Sequence, residues 1–180
     1  MILLPYERFK IRTNLGKPEL LERLADSIEP RVFFRSFKGN VSPFEGSIEG
    51  SHFEINRILR YRNSFQPMIS GDIASDNTGC SISITMNLHI IVLIFMIFWL
   101  FTTGIFFISE LGPFITSLQQ TGTVDLGLLV TAGDMFLFGY ALMQVCFKIE
   151  SSISKKFLRE LFQAEEFIEM GLRNPFSSKK

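Results

Sequence analysis

The organisation of the chain is decided by residues 88–108, which read LHIIVLIFMIFWLFTTGIFFI. This run contains no Asp, Glu, Lys or Arg, and His89 lies close to one end. As a helix it would be about 31 Å long, enough to cross the hydrocarbon core of a bilayer. A soluble helix of this length would need a polar face, and the interior of this run offers only Thr102 and Thr103. We therefore predict a transmembrane helix.

A second apolar run follows at residues 126–147, LGLLVTAGDMFLFGYALMQVCF, and it contains Asp134. If Asp134 marked a helix boundary, the remaining part of the run would extend only about 20 Å as a helix, too short to cross a bilayer. We therefore predict a second transmembrane helix with an internal carboxylic acid. The two runs together predict a transmembrane hairpin over residues 88–147.

The distribution of cations predicts the orientation of this hairpin. Eleven of the 18 Lys and Arg residues lie in residues 1–87 and the other seven lie in residues 148–180, so residues 109–125 contain none. The positive-inside rule then places both termini in the cytoplasm and the connection outside. The expected location is the cell membrane, as a multi-pass protein.

Residues 1–87 predict a small cytoplasmic domain of the α+β class. Residues 17–30, KPELLERLADSIEP, are typical of a short amphipathic helix, with Pro18 in its first turn and Pro30 at its end. Elsewhere apolar and polar residues alternate, which predicts half-buried strands in an antiparallel meander of four or five strands. The candidate strands lie in residues 7–13 (ERFKIRT), 31–37 (RVFFRSF), 44–59 (FEGSIEGSHFEINRIL, a hairpin turning at Gly50–Ser51), 67–74 (PMISGDIA) and 80–88 (CSISITMNL).

Within the third region, residues 148–180, the sequence ESSISKKFLRELFQAEEFIEMG (residues 150–171) predicts a C-terminal amphipathic helix capped by Gly171. Basic residues flank its apolar stripe, so the helix could lie on anionic lipid. It could equally dock on the N-terminal sheet, and the sequence does not decide between the two. The stripe consists of Phe157, Leu158, Leu161, Phe162 and Ile168.

Composition and motifs argue against several classes of function. The 18 basic and 18 acidic residues balance, so no overall field favours nucleic acid. The sequence contains no CxxC or HExxH spacing for zinc, no phosphate-binding Gly-rich loop and no nucleophile–base arrangement. We therefore predict a non-enzymatic protein that uses no metal or cofactor and is surrounded by membrane lipids.

One candidate binding site lies in residues 57–65, RILRYRNSF, which contain Arg57, Arg60 and Arg62. Closely spaced guanidinium groups can bind a phosphate, and beside a membrane a lipid headgroup is the expected ligand. The alternative is a solvated strand end followed by a turn, in which Asn63 and nearby side chains bond to local backbone.

The second candidate is Asp134, which shares a helix face with Gly127 and Ala141 at seven-residue spacing. Small residues let a neighbouring helix approach, and counting from the outer ends predicts Thr102 and Thr103 as polar contacts of Asp134. Such a carboxylic acid is either structural, including a contact to another subunit, or part of an ion or proton path. Two helices cannot enclose a path alone, so transport would require an oligomer.

In residues 44–73, FEGSIEGSHFEINRILRYRNSFQPMISGDI, the chain resembles a family of small two-helix membrane proteins of cyanobacteria and related bacteria. That family carries a Phe-x-Gly-x-Ile step, a Phe-x-Ile-x-Arg strand and a Tyr-Arg-Asn-Ser-Phe-x-Pro motif followed by Gly. The resemblance implies the architecture, and a thylakoid membrane for a cyanobacterial chain, but no activity. The matching residues are Phe44, Gly46, Ile48, Phe53, Ile55, Arg57, Tyr61, Arg62, Asn63, Ser64, Phe65, Pro67 and Gly71.

These observations favour an integral membrane accessory protein that assembles, stabilises or regulates a larger membrane complex. It would act through a membrane-protein partner or as a homo-oligomer. One alternative is a membrane-anchored lipid- or ligand-sensing module that uses the arginines. A further alternative is an oligomeric carrier that uses Asp134.

Overall fold

The computed structural model describes residues 4–30, 42–59, 61, 63–76, 79–120 and 127–170. The chain divides into two compact units. Residues Met1–His89 and Phe147–Lys180 form the first, which we call the sheet unit. Residues Ile90–Cys146 form the second, which we call the helix-pair unit.

The sheet unit is built on a sheet that, within the described residues, has seven strands. The strands are β1 (Tyr6–Thr13), β2 (Ile28–Glu29), β3 (Phe44–Glu49), β4 (His52–Arg57), β5 (Pro67–Asp76), β6 (Gly79–Leu88) and β7 (Glu166–Glu169). They lie in the order β2-β3-β4-β5-β6-β1-β7. The α+β class is confirmed. The sheet has more strands than the four or five predicted. The predicted antiparallel pairing is wrong at one edge, where β2 pairs with β3 in parallel.

The period-two pattern of the strands is confirmed by their burial. In β6, Ile82, Ile84 and Met86 are completely buried, whereas the intervening Ser83 and Thr85 are only half-buried. Apolar side chains thus collect on one face of the sheet, which we call the inner face. The predicted strand in residues 31–37 lies outside the described residues.

Two glycines meet specific demands of the sheet. Gly50 has a φ of 62° in the turn between β3 and β4, where the sequence predicts the hairpin to reverse. Gly71 pairs with Phe53 on the neighbouring strand, and a Cβ on Gly71 would lie 2.3 Å from the Phe53 ring. Gly71 therefore gives the fully buried Phe53 ring room to lie across the inner face.

Helix α1 (Lys17–Asp26) begins with Pro18 in its first turn, as predicted, and buries Leu20 and Leu24. It ends earlier than predicted. Ile28, expected in the apolar stripe of the helix, belongs to β2 and pairs with Phe44 of β3. The Ser27 hydroxyl donates a hydrogen bond to the Arg23 carbonyl in the last turn of the helix, and the residues that follow join the sheet.

The predicted C-terminal amphipathic helix is confirmed only in its first part. Helix α3 (Gly127–Leu161) ends before Gln163, whose φ is 46°. Ile168 therefore lies not on a helix stripe but in β7, which adds antiparallel to β1. The helical prediction failed because strand β1 offers a free edge whose backbone groups need partners. The ring of Phe167 also stacks on that of Phe9, with 4.8 Å between centroids.

The final turns of α3 dock on the sheet, which is one of the two alternatives that the sequence left open. Leu158 and Phe162 are completely buried. The Phe157 ring lies 5.1 Å from that of Phe44 and the Phe162 ring lies 6.3 Å from that of Phe53. Helices α1 and α3 thus cover the inner face, whereas Ile168 of the predicted stripe is 36% exposed.

The helix-pair unit contains helix α2 (Ile90–Gln120) and the first part of α3. Both helices are long and apolar enough to cross a membrane. Only 11% and 17% of their most apolar windows are buried, unlike the core helix of a soluble protein. Helix α2 begins at Ile90 and continues past the predicted membrane boundary at residue 108 to Gln120, and α3 begins at Gly127 and continues past residue 147 to Leu161. Charged Glu110 ends the apolar run of α2, but backbone hydrogen bonding continues past it to Gln120.

Candidate functional site

The second part of α3 presents polar residues to the inner face of the sheet. Glu150 is 1% exposed, and Ser151 and Ser154 are completely buried. They follow Phe147 at helical spacing and so lie in the same stripe as the apolar anchors. Because buried polar groups need hydrogen-bond partners, these residues mark the place where the sheet unit departs from an ordinary apolar core.

The first polar cluster is centred on Glu7 of β1, which is 6% exposed. Its carboxylate accepts hydrogen bonds from Lys148 and Ser151, and it lies 2.8 Å from the Lys155 Nζ. Burial by itself would raise the pKa of Glu7. The hydrogen bonds from Lys148, Lys155 and Ser151 together outweigh burial and hold that pKa below its ordinary value.

Lys155 extends this cluster to the edge of the sheet. Its Nζ lies 3.0 Å from the Glu169 carboxylate on β7 and 5.4 Å from the centroid of the Phe9 ring. One ammonium group therefore joins β1, β7 and α3 through two ion pairs and a cation–π contact.

The second cluster lies where the sequence predicts a phosphate site. Arg57 Nη1 donates a 2.8 Å hydrogen bond to Glu150, whose carboxylate also accepts one from the Tyr61 hydroxyl. Arg57 is thus engaged by a carboxylate of its own chain. Arg60 and Arg62 lie outside the described residues. The arrangement is that of an internal ion pair, and phosphate binding at this strand end stays a prediction.

Sequence reasoning missed the acidic halves of both clusters. Two signals were present in the pattern. Glu7 alternates in phase with Phe9 and Ile11, which places it on the inner face. Glu150 and Ser151 fall in the stripe that runs from Phe147 to Leu158, where a polar residue is out of place unless it has a buried partner.

In the helix-pair unit, glycines allow close contact between the two helices. A Cβ on Gly139 would lie 2.7 Å from the Trp99 Nε1, and one on Gly133 would lie 3.4 Å from the Phe107 ring. Met96, Ala132 and Met143 are the most buried residues of this seam. The Trp99 Nε1 is buried and has no hydrogen-bond partner within the described part of the chain.

The predicted contacts of Asp134 with Thr102 and Thr103 are not formed. The Thr103 hydroxyl donates to the Trp99 carbonyl in its own helix, at 2.9 Å, and Thr102 is exposed. The sequence count placed Asp134 too close to the start of α2, because α2 continues well beyond residue 108. Packing sets Gly133 beside Phe107, so Asp134 lies level with the turn that follows the two threonines.

Asp134 lies instead on the exposed side of the helix pair. Gly127, Asp134 and Ala141 share one face, as predicted, but all three are exposed and this face does not meet α2. The neighbours of Asp134 on the helix surface are Val130, Leu137 and Phe138, which are 50%, 63% and 69% exposed. Asp134 makes no hydrogen bond or ion pair with any residue that the structure describes.

Among the described residues, no group of three or more His, Cys, Asp or Glu side chains is arranged to hold a metal ion.

A scan of protein-family models, a search of the curated proteins and a search of the solved structures each find no match to the chain. The resemblance to the two-helix bacterial family therefore stays an expectation from the sequence.

Proposed function

We propose that the chain is an integral membrane protein that acts as an accessory subunit of a larger membrane complex. Helices α2 and α3 would form a two-pass anchor, with the sheet unit and both termini in the cytoplasm. The observation that carries the proposal is the exposed Asp134, which lies among exposed apolar side chains without a described partner.

The energetics of a membrane make such a side chain informative. An ionised Asp near the centre of a membrane helix costs about 2.5–3.5 kcal/mol, and a protonated one still carries a donor and an acceptor that lipid tails cannot satisfy. Asp134 lies about 10 Å along α3 from Gly127, the first described residue of that helix. A helix of another subunit packed on this face would supply the missing hydrogen bonds, and Gly127 and Ala141 would let it approach closely.

The sheet unit supports an accessory role more than a lipid-sensing one. Its inner face is occupied by α1 and α3, and the guanidinium of Arg57 is engaged by Glu150. The ion pairs of Glu7 and Glu150 connect strands of the sheet with the helix that covers it, as expected of a scaffold.

The test compares three full-length variants purified in mild detergent: Asp134→Asn, Asp134→Leu and Thr102→Leu. If Asp134 bonds to another subunit, Asn keeps a donor and an acceptor and should retain the co-purifying stoichiometric partner. Leu should lose most of it, because membrane hydrogen bonds contribute about 0.6–2 kcal/mol each. Thr102→Leu is the matched control and should behave as wild type.

The outcomes separate the alternatives. Equal partner yield with Asp134→Leu and wild type would contradict the proposal. Loss of the partner with Thr102→Leu as well as Asp134→Leu would point to an internal contact instead. A carrier predicts a different order, in which Asn abolishes transport as completely as Leu because it cannot titrate, while assembly is unchanged.

A further inference from the structure

The topology of the sheet unit places several strand ends side by side, at what we call the proximal end. Strand β6 finishes there at Leu88, and α2 begins two residues later. Strands β1 and β5 are antiparallel to β6 and so begin at this end, and β4, antiparallel to β5, finishes there at Arg57. The returning helix α3 is held at the same end, because Glu150 pairs with Arg57 and Lys148 pairs with Glu7 near the start of β1.

The exposed apolar side chains of the sheet unit are concentrated at the proximal end. Leu4 and Tyr61 are each 57% exposed and Ile149 is 53% exposed. Ile153 lies one turn beyond Ile149 in α3, and Ile168 lies away from this end, in β7. These five are the exposed large apolar or aromatic side chains among the described residues of the unit. The three at the proximal end are far apart in sequence, so only the fold collects them.

Local contacts fix each of the three at this end. Leu4 precedes β1, and its carbonyl accepts a 2.8 Å hydrogen bond from the Tyr6 amide in the first position of that strand. The Tyr61 hydroxyl donates a hydrogen bond to the Glu150 carboxylate. Ile149 precedes Glu150 in α3 and is exposed where Glu150 is buried, so it lies on the side of the helix turned away from the sheet.

The polar groups of the proximal end suit contact with lipid headgroups. The carboxylates of Glu7 and Glu150 are buried and each is paired with a cation, so neither presents a bare negative charge to lipid phosphates. The Lys148 side chain is 48% exposed, and a stem of this kind can lie along apolar surface while its ammonium reaches the headgroups. Tyrosine, as at Tyr61, combines an apolar ring with a polar tip and is enriched at membrane interfaces.

We propose that the proximal end rests in the headgroup layer of the membrane, with Leu4, Tyr61 and Ile149 at the boundary of the acyl chains. The inference rests on the proposed two-pass anchor. Ile90 at the start of α2 is 60% exposed and belongs to the apolar run of that helix. At most about 7 Å of extended chain separates Leu88 from Ile90, so lipid lies within reach of the proximal end.

The test uses full-length single-tryptophan chains in phosphatidylcholine vesicles whose acyl chains are brominated near the glycerol. Trp99→Phe supplies the background, and Leu4→Trp or Ile149→Trp adds a probe at an exposed position. Each probe should lose roughly half of its emission to the bromines, because an indole at the headgroup boundary lies beside them.

Two further probes in the same background are the matched controls. Ile168→Trp replaces the exposed apolar residue that lies away from the proximal end. Ser75→Trp lies opposite Cys80 near the far end of β5, about 27 Å along the strand from Pro67. Both should keep their emission. The proposal is overturned if either proximal probe keeps its emission as the controls do, or if all four probes are quenched equally.

The Trp99 of the unmodified chain reports on the helix pair separately. Lipids brominated deeper in their acyl chains should quench it if α2 and α3 cross the membrane. If Trp99 is quenched and the proximal probes are not, the anchor stands and only the contact of the proximal end with lipid is wrong. If Trp99 is not quenched, the proposed anchor itself is wrong.

Discussion

The Arg57 guanidinium donates a 2.8 Å hydrogen bond to the Glu150 carboxylate, although 93 positions of sequence separate the two residues. Glu150 is 1% exposed and the Arg57 side chain is 29% exposed. Without the ion pair the Glu150 carboxylate would stay buried away from water, whereas the Arg57 guanidinium could be hydrated. The pair fastens the end of β4 to the helix that covers the inner face.

Removal of one partner should therefore differ from removal of both. Arg57→Met leaves a buried carboxylate with only Tyr61 and should lower the free energy of unfolding of the sheet unit by about 3 kcal/mol. The double variant Arg57→Met with Glu150→Met should lose less than the sum of the two single losses. Hydrogen exchange of the β4 amides in the full-length chain measures both. If the loss of stability in the double variant equalled the sum of the two single losses, the two side chains would not be coupled as an ion pair. If Arg57→Met lowered binding of the chain to anionic vesicles and left hydrogen exchange unchanged, the result would instead favour a phosphate site.

Glu7 gives the sheet unit a dependence on acid. Its pKa is lowered in the folded chain, so its stabilising contribution is present above the ordinary value of 4.5 and is lost as pH falls through the folded pKa. Glu7→Gln should cost about 2–3 kcal/mol at neutral pH and remove most of the loss of stability below pH 4.5. Thermal unfolding as a function of pH checks this. Glu19→Gln, which removes an exposed pair with Arg23, should leave the acid profile as it is in wild type.

The contact of Gly139 with Trp99 sets how closely α2 and α3 approach. Gly139→Ala places a methyl group 2.7 Å from the indole nitrogen, so the helices must separate or the ring must turn. Overpacking of this kind costs about 1–3 kcal/mol, and Trp99→Phe in the same chain should recover part of it. Trp99 is the single tryptophan, so its fluorescence reports the change directly. Gly112→Ala meets nothing within 4 Å and should leave the emission unaltered.

Topology can be tested with cysteine labelling in a chain whose Cys80 and Cys146 are replaced by Ala. In intact cells, Ser117→Cys should react with an impermeant thiol reagent and Ser178→Cys should react only after the membrane is opened. The reason is the confinement of all 18 cations to the two flanking regions. The reverse labelling pattern would place the sheet unit outside the cell.

The sequence predicts those features whose cause is local. The apolar runs of α2 and α3 and the alternation of Ile82, Ile84 and Met86 are visible because burial repeats with the period of the element itself. Strand β7 was not predictable in this way, because the free edge of β1 decides its conformation. The ion pair of Glu7 with Lys148 spans 141 positions, and only the fold brings the two together. Asp134 was recognised as unusual, but its face could not be assigned without the packing of Gly133 on Phe107.

The position of β1 between β6 and β7 has a consequence for biogenesis. The strands up to β6 leave the ribosome before the helix pair, but the helix turns that cover their inner face and the strand that closes the edge of β1 are made after it. At roughly 5–20 residues per second, residues 89–161 take on the order of 4–15 s to synthesise. During that interval Phe9 and Phe53 lack the rings of Phe167 and Phe162 that pack on them in the complete fold. Completion of the sheet therefore reports that the helix pair has been made, and a chain arrested before Leu158 would present an apolar face to chaperones and proteases.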